Sequence, residues 1–202
     1  MNIPTLSELS EMAYGAGKIL REGYGKQHTI SHKGRIDLVT EYDRLSEAYL
    51  LGELKKRYPQ HAVHAEESGV QTGQADALWL IDPLDGTTNF AHGFPFFGVS
   101  IGFRHENKLR LGVVYNPIHD ELFSAEYGKG AHLNGKSIGV SAPEDLLHSL
   151  LTTGFAYDDW VINTNLQHFV YFSRLTQGVR RVGSAALDLC YVACGRFDGY
   201  WE

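Results

Sequence analysis

The stretch Trp79-Leu80-Ile81-Asp82-Pro83-Leu84-Asp85-Gly86-Thr87-Thr88-Asn89-Phe90 concentrates more reactive groups than any other part of the chain. An apolar, strand-like run ends on Asp82. Pro83 and Leu84 separate it from a second carboxylate, Asp85, and a glycine and two hydroxyls follow. Two carboxylates three apart at a strand end can hold hard divalent cations. Gly86 and the amides after it can cradle a phosphate where a helix begins. Cations beside a phosphate site point to metal-assisted phosphoryl chemistry.

Two further acids, Asp43 and Glu66, complete the candidate set. Glu66 lies in His64-Ala65-Glu66-Glu67-Ser68, after a strand-like run at 62–65. Asp82 would bridge two cations, with Glu66 on one and Asp85 on the other. Pro83 sets the chain direction between them, and the Leu84 carbonyl offers another oxygen. An oxygen-only donor set favours Mg²⁺ over zinc. Asp43 by itself reads as a first-turn helix acid. Glu67, His64 and His92 are assigned to solvated or packing roles.

Periodicity supplies the elements that must position these groups. Thr5-Leu6-Ser7-Glu8 fits a capping box, and Leu6, Leu9, Met12, Ala13, Ala16, Ile19 and Leu20 continue at helical spacing to about Gly23. Residues 26–37 read as a polar, mobile loop. A second helix is expected from about Thr40 to Tyr58, with Leu45, Ala48, Leu51 and Leu54 as its apolar face. Short strands are expected at 62–65, 78–81, 97–103, 109–115 and 122–125, with a turn at Asn134-Gly135. Helices follow at about 158–177 and 184–195, then a strand at Gly199-Tyr200-Trp201-Glu202. The pattern predicts one layered α/β or α+β domain over residues 1–202, with antiparallel pairing in the middle.

Bulk properties narrow the function. The 202 residues are 43% hydrophobic, enough for a real core. A net charge of −6, from 18 basic and 24 acidic residues, argues against a nucleic-acid or anionic-membrane partner. An acidic protein that handles phosphates needs cations to offset the repulsion. Cys190 and Cys194 lie four apart on an expected helix, ill placed for a disulfide, and read as small buried thiols. Neither a signal-peptide pattern nor an apolar run of ~20 residues is visible, so a cytoplasmic location is expected.

The chain resembles the inositol monophosphatase family, in its bacterial-type branch. Four segments match in order: Lys33…Asp37-Leu38-Val39-Thr40…Asp43; Glu66-Glu67-Ser68; Trp79 through Phe90; and Gly183-Ser184-Ala185-Ala186-Leu187-Asp188 onward to Trp201-Glu202. The third segment is too long for a chance match. The resemblance implies a sugar-phosphatase fold of αβαβα layers. It also implies hydrolysis of inositol-1-phosphate by metal-activated water, two or three Mg²⁺ ions, sensitivity to Li⁺ and a homodimer.

By the same resemblance, Glu66, Asp82 and the Leu84 carbonyl would hold the first Mg²⁺. Asp82 and Asp85 would hold the second, and Glu66 a weaker third. Thr87, hydrogen-bonded to Asp43, would orient the attacking water together with Glu66. The Gly86 and Thr87 amides would bind phosphate oxygens. Asp85, Ala185 and Glu202 would meet hydroxyls of the substrate ring, and Lys33 would lie on a loop closing near the metals. Ala65 stands where the family often has glycine. The family also continues past the position of Glu202 into a Trp-Asp segment whose aspartate completes the second metal site. The chain is therefore expected to be C-terminally incomplete, or its second site to be short of a ligand. Thr88-Asn89 is the inositol-phosphatase form, where nucleotide-bisphosphate phosphatases carry Lys-Glu. Histidinol-phosphate or fructose-bisphosphate hydrolysis, and a non-catalytic binding protein on this scaffold, are the competing readings.

Overall fold

A computed structural model describes residues 2–32, 38–155 and 159–202. Among the described residues the chain runs α1 (Leu6–Gly23), β1 (Ile30–His32), β2 (Leu38–Thr40), α2 (Glu41–Arg57), β3 (His61–Ala65), β4 (Gly69–Gln71), β5 (Gln74–Asp85), α3 (Thr87–Ala91) and β6 (Gly98–His105). It continues β7 (Lys108–Asn116), β8 (Glu121–Glu126), β9 (Gly130–Leu133), β10 (Lys136–Ser137), β11 (Leu150–Thr153), α4 (Asp159–Ser173), β12 (Gly178–Arg180), α5 (Ala185–Ala193) and β13 (Gly199–Trp201).

The large sheet has eight strands in the order β10-β9-β8-β7-β6-β5-β3-β4, antiparallel throughout except for β3 against β5. The small sheet is β12-β11-β13, all parallel. Helices α1 and α2 cover one face of the large sheet, α5 lies between the two sheets, and α4 packs on β12. The layers therefore run α-β-α-β-α, as the resemblance implied.

Helix α1 forms where the pattern placed it. Thr5 accepts the Glu8 amide at 3.3 Å, and the Glu8 carboxylate accepts the Thr5 amide at 2.8 Å, so both sides of the capping box are made. Leu9, Met12, Ala13, Ala16 and Leu20 are fully buried. Burying Leu9, Met12 or Leu20 contributes roughly 1.5–3 kcal/mol each. These side chains meet alternate residues of the sheet: Trp79, Ile81, Val99, Ile101, Phe103, Val113 and Tyr115. The Trp79 indole N–H donates to His61 Nδ1 at 3.1 Å within this core. In the small sheet the Trp201 indole donates to Asn165 on α4.

Several expectations need correction. Residues 30–32 are not loop: β1 pairs antiparallel with β2, Ile30 opposite Thr40. Three-residue strands are too short to show a period. The expected face of α2 holds at its end, where Leu54 is buried and Leu51 packs against the core, but not at its start. Leu45 and Ala48 are exposed, and the buried face is Asp43, Ser46, Glu47, Leu50 and Leu54. This helix buries polar groups because they hold other segments, so apolar spacing misreads it. Strand β5 does not stop at Asp82 but continues to Asp85. Helix α4 ends at Ser173, short of the expected 177, and the strand β12 at Gly178–Arg180 lies in the stretch between the two expected helices, where no strand is expected. Cys190 and Cys194 are free and only half-buried, and burial pushes the Cys190 thiol up to about 12.

Candidate active site

A regular strand sends residues i and i+3 to opposite faces, which would separate Asp82 from Asp85. Strand β5 avoids this with a bulge. Asp82 pairs with Ser100 and Asp85 with Gly98, so three steps on β5 oppose two on β6. The extra residue returns both carboxylates to one face. Pro83, which has no N–H to give a ladder, is tolerated at such a bulge. Inside it, the Leu84 amide donates to Asp82 Oδ1 at 3.0 Å.

One stripe of α2 anchors this motif and its neighbours. Asp43, Ser46 and Glu47 sit at i, i+3 and i+4 and are 1%, 0% and 5% exposed. Ser46 Oγ donates to the Pro83 carbonyl at 2.9 Å, and the Glu67 amide donates to Glu47 Oε2 at 2.9 Å. Asp43 Oδ2 accepts the Thr40 amide at 2.8 Å and the Thr40 hydroxyl at 2.6 Å. Asp43 Oδ1 accepts the Thr87 hydroxyl at 2.8 Å. Burial raises the Asp43 carboxyl above its ordinary range, while the bonds from Thr40 and Thr87 act against that rise. The Asp43–Thr87 contact implied by the resemblance is thus present.

Gly86 makes the turn from β5 into α3 with φ 92° and ψ 37°. A Cβ there would lie 3.1 Å from the Phe96 carbonyl oxygen and 3.2 Å from that of Gly183. The positive φ calls for glycine, and a Cβ would be tight against both carbonyl oxygens.

These residues open onto a cavity of about 620 Å³. Glu66, Asp82, Leu84, Asp85, Gly86 and Thr87 line one side, and Ala185 and Glu202 line the other. Every site residue expected from the sequence lines it except two: Asp43, which stands behind Thr87, and Lys33, which lies outside the described residues. Sequence reasoning missed Arg181 and the anchors Ser46 and Glu47, and gave no role to Ser184 and Asp188, which stand in the fourth matching segment and line the same cavity. Ser184 carried a signal, a serine directly before a helical apolar run. Asp188 closes the quoted part of the fourth matching segment, whereas Arg181 carried nothing that distinguishes it from a surface charge. A neighbouring cavity of about 670 Å³, between α5 and the large sheet, shares Glu66 and Asp82 but is otherwise mostly lined by apolar and small residues.

The electrostatics are those of crowded acids. Burial, then the charges of Asp85 and Glu66, hold the Asp82 carboxyl well above its ordinary range. Burial raises Asp85 too, against hydrogen bonds from Ser184 and the first amides of α5. Asp188 is pushed up to about 7, chiefly by burial and further by the charges of Asp85 and Glu202, against the Thr152 hydroxyl and Arg181. A bound cation relieves this kind of repulsion. The nearby donors are all oxygens, which suits a hard divalent ion. Among the described residues no three His, Cys, Asp or Glu side chains are grouped so as to hold a metal ion by themselves. Mg²⁺ needs no closed cage: it keeps several waters and uses one or two carboxylates with substrate phosphate. The residues fit an open Mg²⁺ site.

The family model for the inositol monophosphatase family matches residues 3–202. An inositol-1-monophosphatase from Synechocystis sp. is 53% identical over 197 residues, covering 96% of this chain and 68% of the relative. The crystal structure of extragenic suppressor protein suhB from Bartonella henselae superposes with a TM-score of 0.93 at 41% identity, over 97% of this chain and 77% of that one. The inositol monophosphatase structure from Anabaena sp. gives a TM-score of 0.85 at 47% identity, over 98% and 73%. From the layered fold, the acidic cavity and these likenesses it follows that the chain belongs to the inositol monophosphatase family and is a phosphatase of the phosphoric monoester hydrolase class.

Proposed function

We propose that this phosphatase hydrolyses inositol-1-phosphate to inositol and phosphate with Mg²⁺ as its cofactor. The observation that carries the reading is the convergence of Asp82, Asp85 and the Asp43–Thr87 pair on one acidic cavity. A binding scaffold has no use for a buried carboxylate that grips a cavity-facing hydroxyl.

Glu66, Asp82 and the Leu84 carbonyl would hold one ion, Asp82 and Asp85 a second, and Glu66 a weaker third. When bound, Mg²⁺ would supply positive charge against the phosphate and acidify the attacking water. With its hydrogen given to Asp43, Thr87 keeps its oxygen lone pairs for a proton of that water. Glu66, exposed at the cavity, is the second acceptor. Gly86 and Thr87 open α3, where the first amides lack partners within the helix, and these would bind phosphate oxygens. Asp85, Ala185 and Glu202 would contact the ring hydroxyls. Together these groups hold the phosphorus in line with the water, which is most of what such slow hydrolysis needs. No described helix is long and apolar enough to cross a membrane. We take residues 1–202 as belonging to a single phosphatase domain of a cytoplasmic homodimer.

The test combines metal binding with turnover. Calorimetry on the 202-residue chain should show Mg²⁺ binding at least about ten-fold weaker in Asp82→Asn, in scale with loss of a charged ligand. Unchanged Mg²⁺ affinity overturns the cation assignment. Phosphate release from inositol-1-phosphate should exceed that from histidinol phosphate, fructose 1,6-bisphosphate and a nucleotide bisphosphate. A preference for any of those overturns the substrate.

A further inference from the structure

We infer that Ser184 is a positioning residue that leaves Asp85 chiefly one carboxylate oxygen for the cavity and fixes the direction of that oxygen. The inference rests on the reading of Asp85 as a cation and substrate ligand.

Ser184 is the N-cap of α5 and is 1% exposed. Its hydroxyl accepts the Leu187 amide at a long 3.4 Å and donates its single hydrogen to Asp85 Oδ2 at 2.5 Å. The Ala186 amide donates to the same Oδ2 at 2.8 Å. A carboxylate oxygen has two in-plane lone pairs, and on Oδ2 both are taken. The Ala185 amide also favours the charged carboxylate, and Oδ1 is the oxygen that Ser184 and Ala186 leave toward the cavity, so Asp85 serves a cation or a ring hydroxyl chiefly through that oxygen.

The donors are themselves held in place. Asn89, four residues beyond Asp85, donates through Nδ2 to the carbonyls of Val182 at 2.8 Å and Phe96 at 2.7 Å. Gly183 then turns with φ 93° into the cap. The β5–α3 segment that carries Asp85 and the β12–α5 segment that restrains it are thus tied at two points, ninety-nine residues apart in sequence at the Ser184–Asp85 bond. Partners that orient a ligating carboxylate typically govern metal affinity by 10–100-fold.

A plain capping role for Ser184 makes a different prediction. Glycine is almost as good an N-cap as serine, but it has no hydroxyl to give Asp85. In Ser184→Gly the melting temperature should stay near that of the unmodified chain. Mn²⁺ binding, followed by electron paramagnetic resonance, should weaken about ten-fold or more. Ser184→Ala should lose the same affinity with some stability besides, and Ser184→Thr should restore binding. Asp85→Asn is the reference. If Asp85→Asn weakens Mn²⁺ binding and neither Ser184→Gly nor Ser184→Ala does, the positioning role is wrong. If Asp85→Asn leaves Mn²⁺ binding unchanged, the ligand reading falls and this inference falls with it.

Discussion

The Thr87 hydroxyl lies 2.8 Å from Asp43 Oδ1 and 3.0 Å from the Leu84 carbonyl oxygen, and its single hydrogen serves one of them at a time. With that hydrogen on Asp43, the Leu84 oxygen stays available to a cation and the Thr87 oxygen to a water. Thr87→Ala should therefore keep Mg²⁺ affinity and lose about 100-fold or more in kcat, in scale with one positioned proton acceptor. Thr87→Ser should recover much of that rate. Unchanged turnover in the alanine variant would reduce Thr87 to a packing residue at the start of α3. At this scale the sequence was informative where residue type and spacing carry chemistry, as at Glu66, Asp82, Asp85 and Gly86. Asp43 needed the family resemblance, because one acid in a first helical turn is commonplace. Arg181 was not legible, and Asp188 was legible only as part of a matching segment without a role, since only the approach of β12 and α5 to the motif makes them part of the cavity.

The two elements that set the site each depart from an ideal period. The bulge in β5 puts Asp82 and Asp85 on one face, and the buried face of α2 carries three polar side chains. Both defeat a reading based on alternating or 3.6-residue hydrophobicity, which is why β5 was expected to end early and α2 was turned toward Leu45 and Ala48. By contrast, α1 was fully legible, since its cap, its period and its burial agree. The junction between β5 and α3 gives a direct test. Gly86→Ala places a side chain in the left-handed region, costing roughly 1–2 kcal/mol, and adds a close approach to two carbonyl oxygens. The unfolding midpoint in urea should fall with the slope unchanged. A midpoint equal to that of the unmodified chain would mean that the junction relaxes freely and imposes no shape on the site.

Across the whole molecule, the layers were legible through the family resemblance, but the strand order was not. Nothing in the sequence says that β3 pairs in parallel with β5 or that β11 is central in the small sheet. Long-range ties of this kind appear only in three dimensions. One of them joins β8 to the turn after α5, where Arg196 Nη1 donates to Glu121 Oε2 at 2.9 Å and Tyr191 donates to the same oxygen at 3.0 Å. Burial works to raise the Glu121 carboxyl, but the bonds from Arg196 and Tyr191 outweigh it and hold the group below its ordinary range. A carboxyl that is more acidic when folded adds stability above its unfolded value of about 4.3, and that stability is lost as pH falls through the folded value. The stability gap between the unmodified chain and Glu121→Gln should be full above about pH 5 and shrink below about pH 4. A gap that stays constant from neutral to acid pH, measured by urea unfolding, would show that the ion pair carries no net linkage.

The placement of the indoles has an optical consequence. Trp79 is fully buried in the large sheet against His61, and Trp201 is half-buried in the small sheet against Asn165. A dry indole fluoresces toward the blue and a partly wet one toward the red, so with Trp160 replaced by phenylalanine each sheet has its own colour. The two colours fade together if the sheets unfold as one unit and in sequence if they do not. A protonated imidazole also quenches a neighbouring indole, while burial and the nearby His105 hold His61 below its ordinary range. The blue emission should therefore survive acidification past the point where an exposed histidine would already have dimmed it. The brightness of Trp79 becomes a gauge of whether water has entered the core three residues upstream of Asp82.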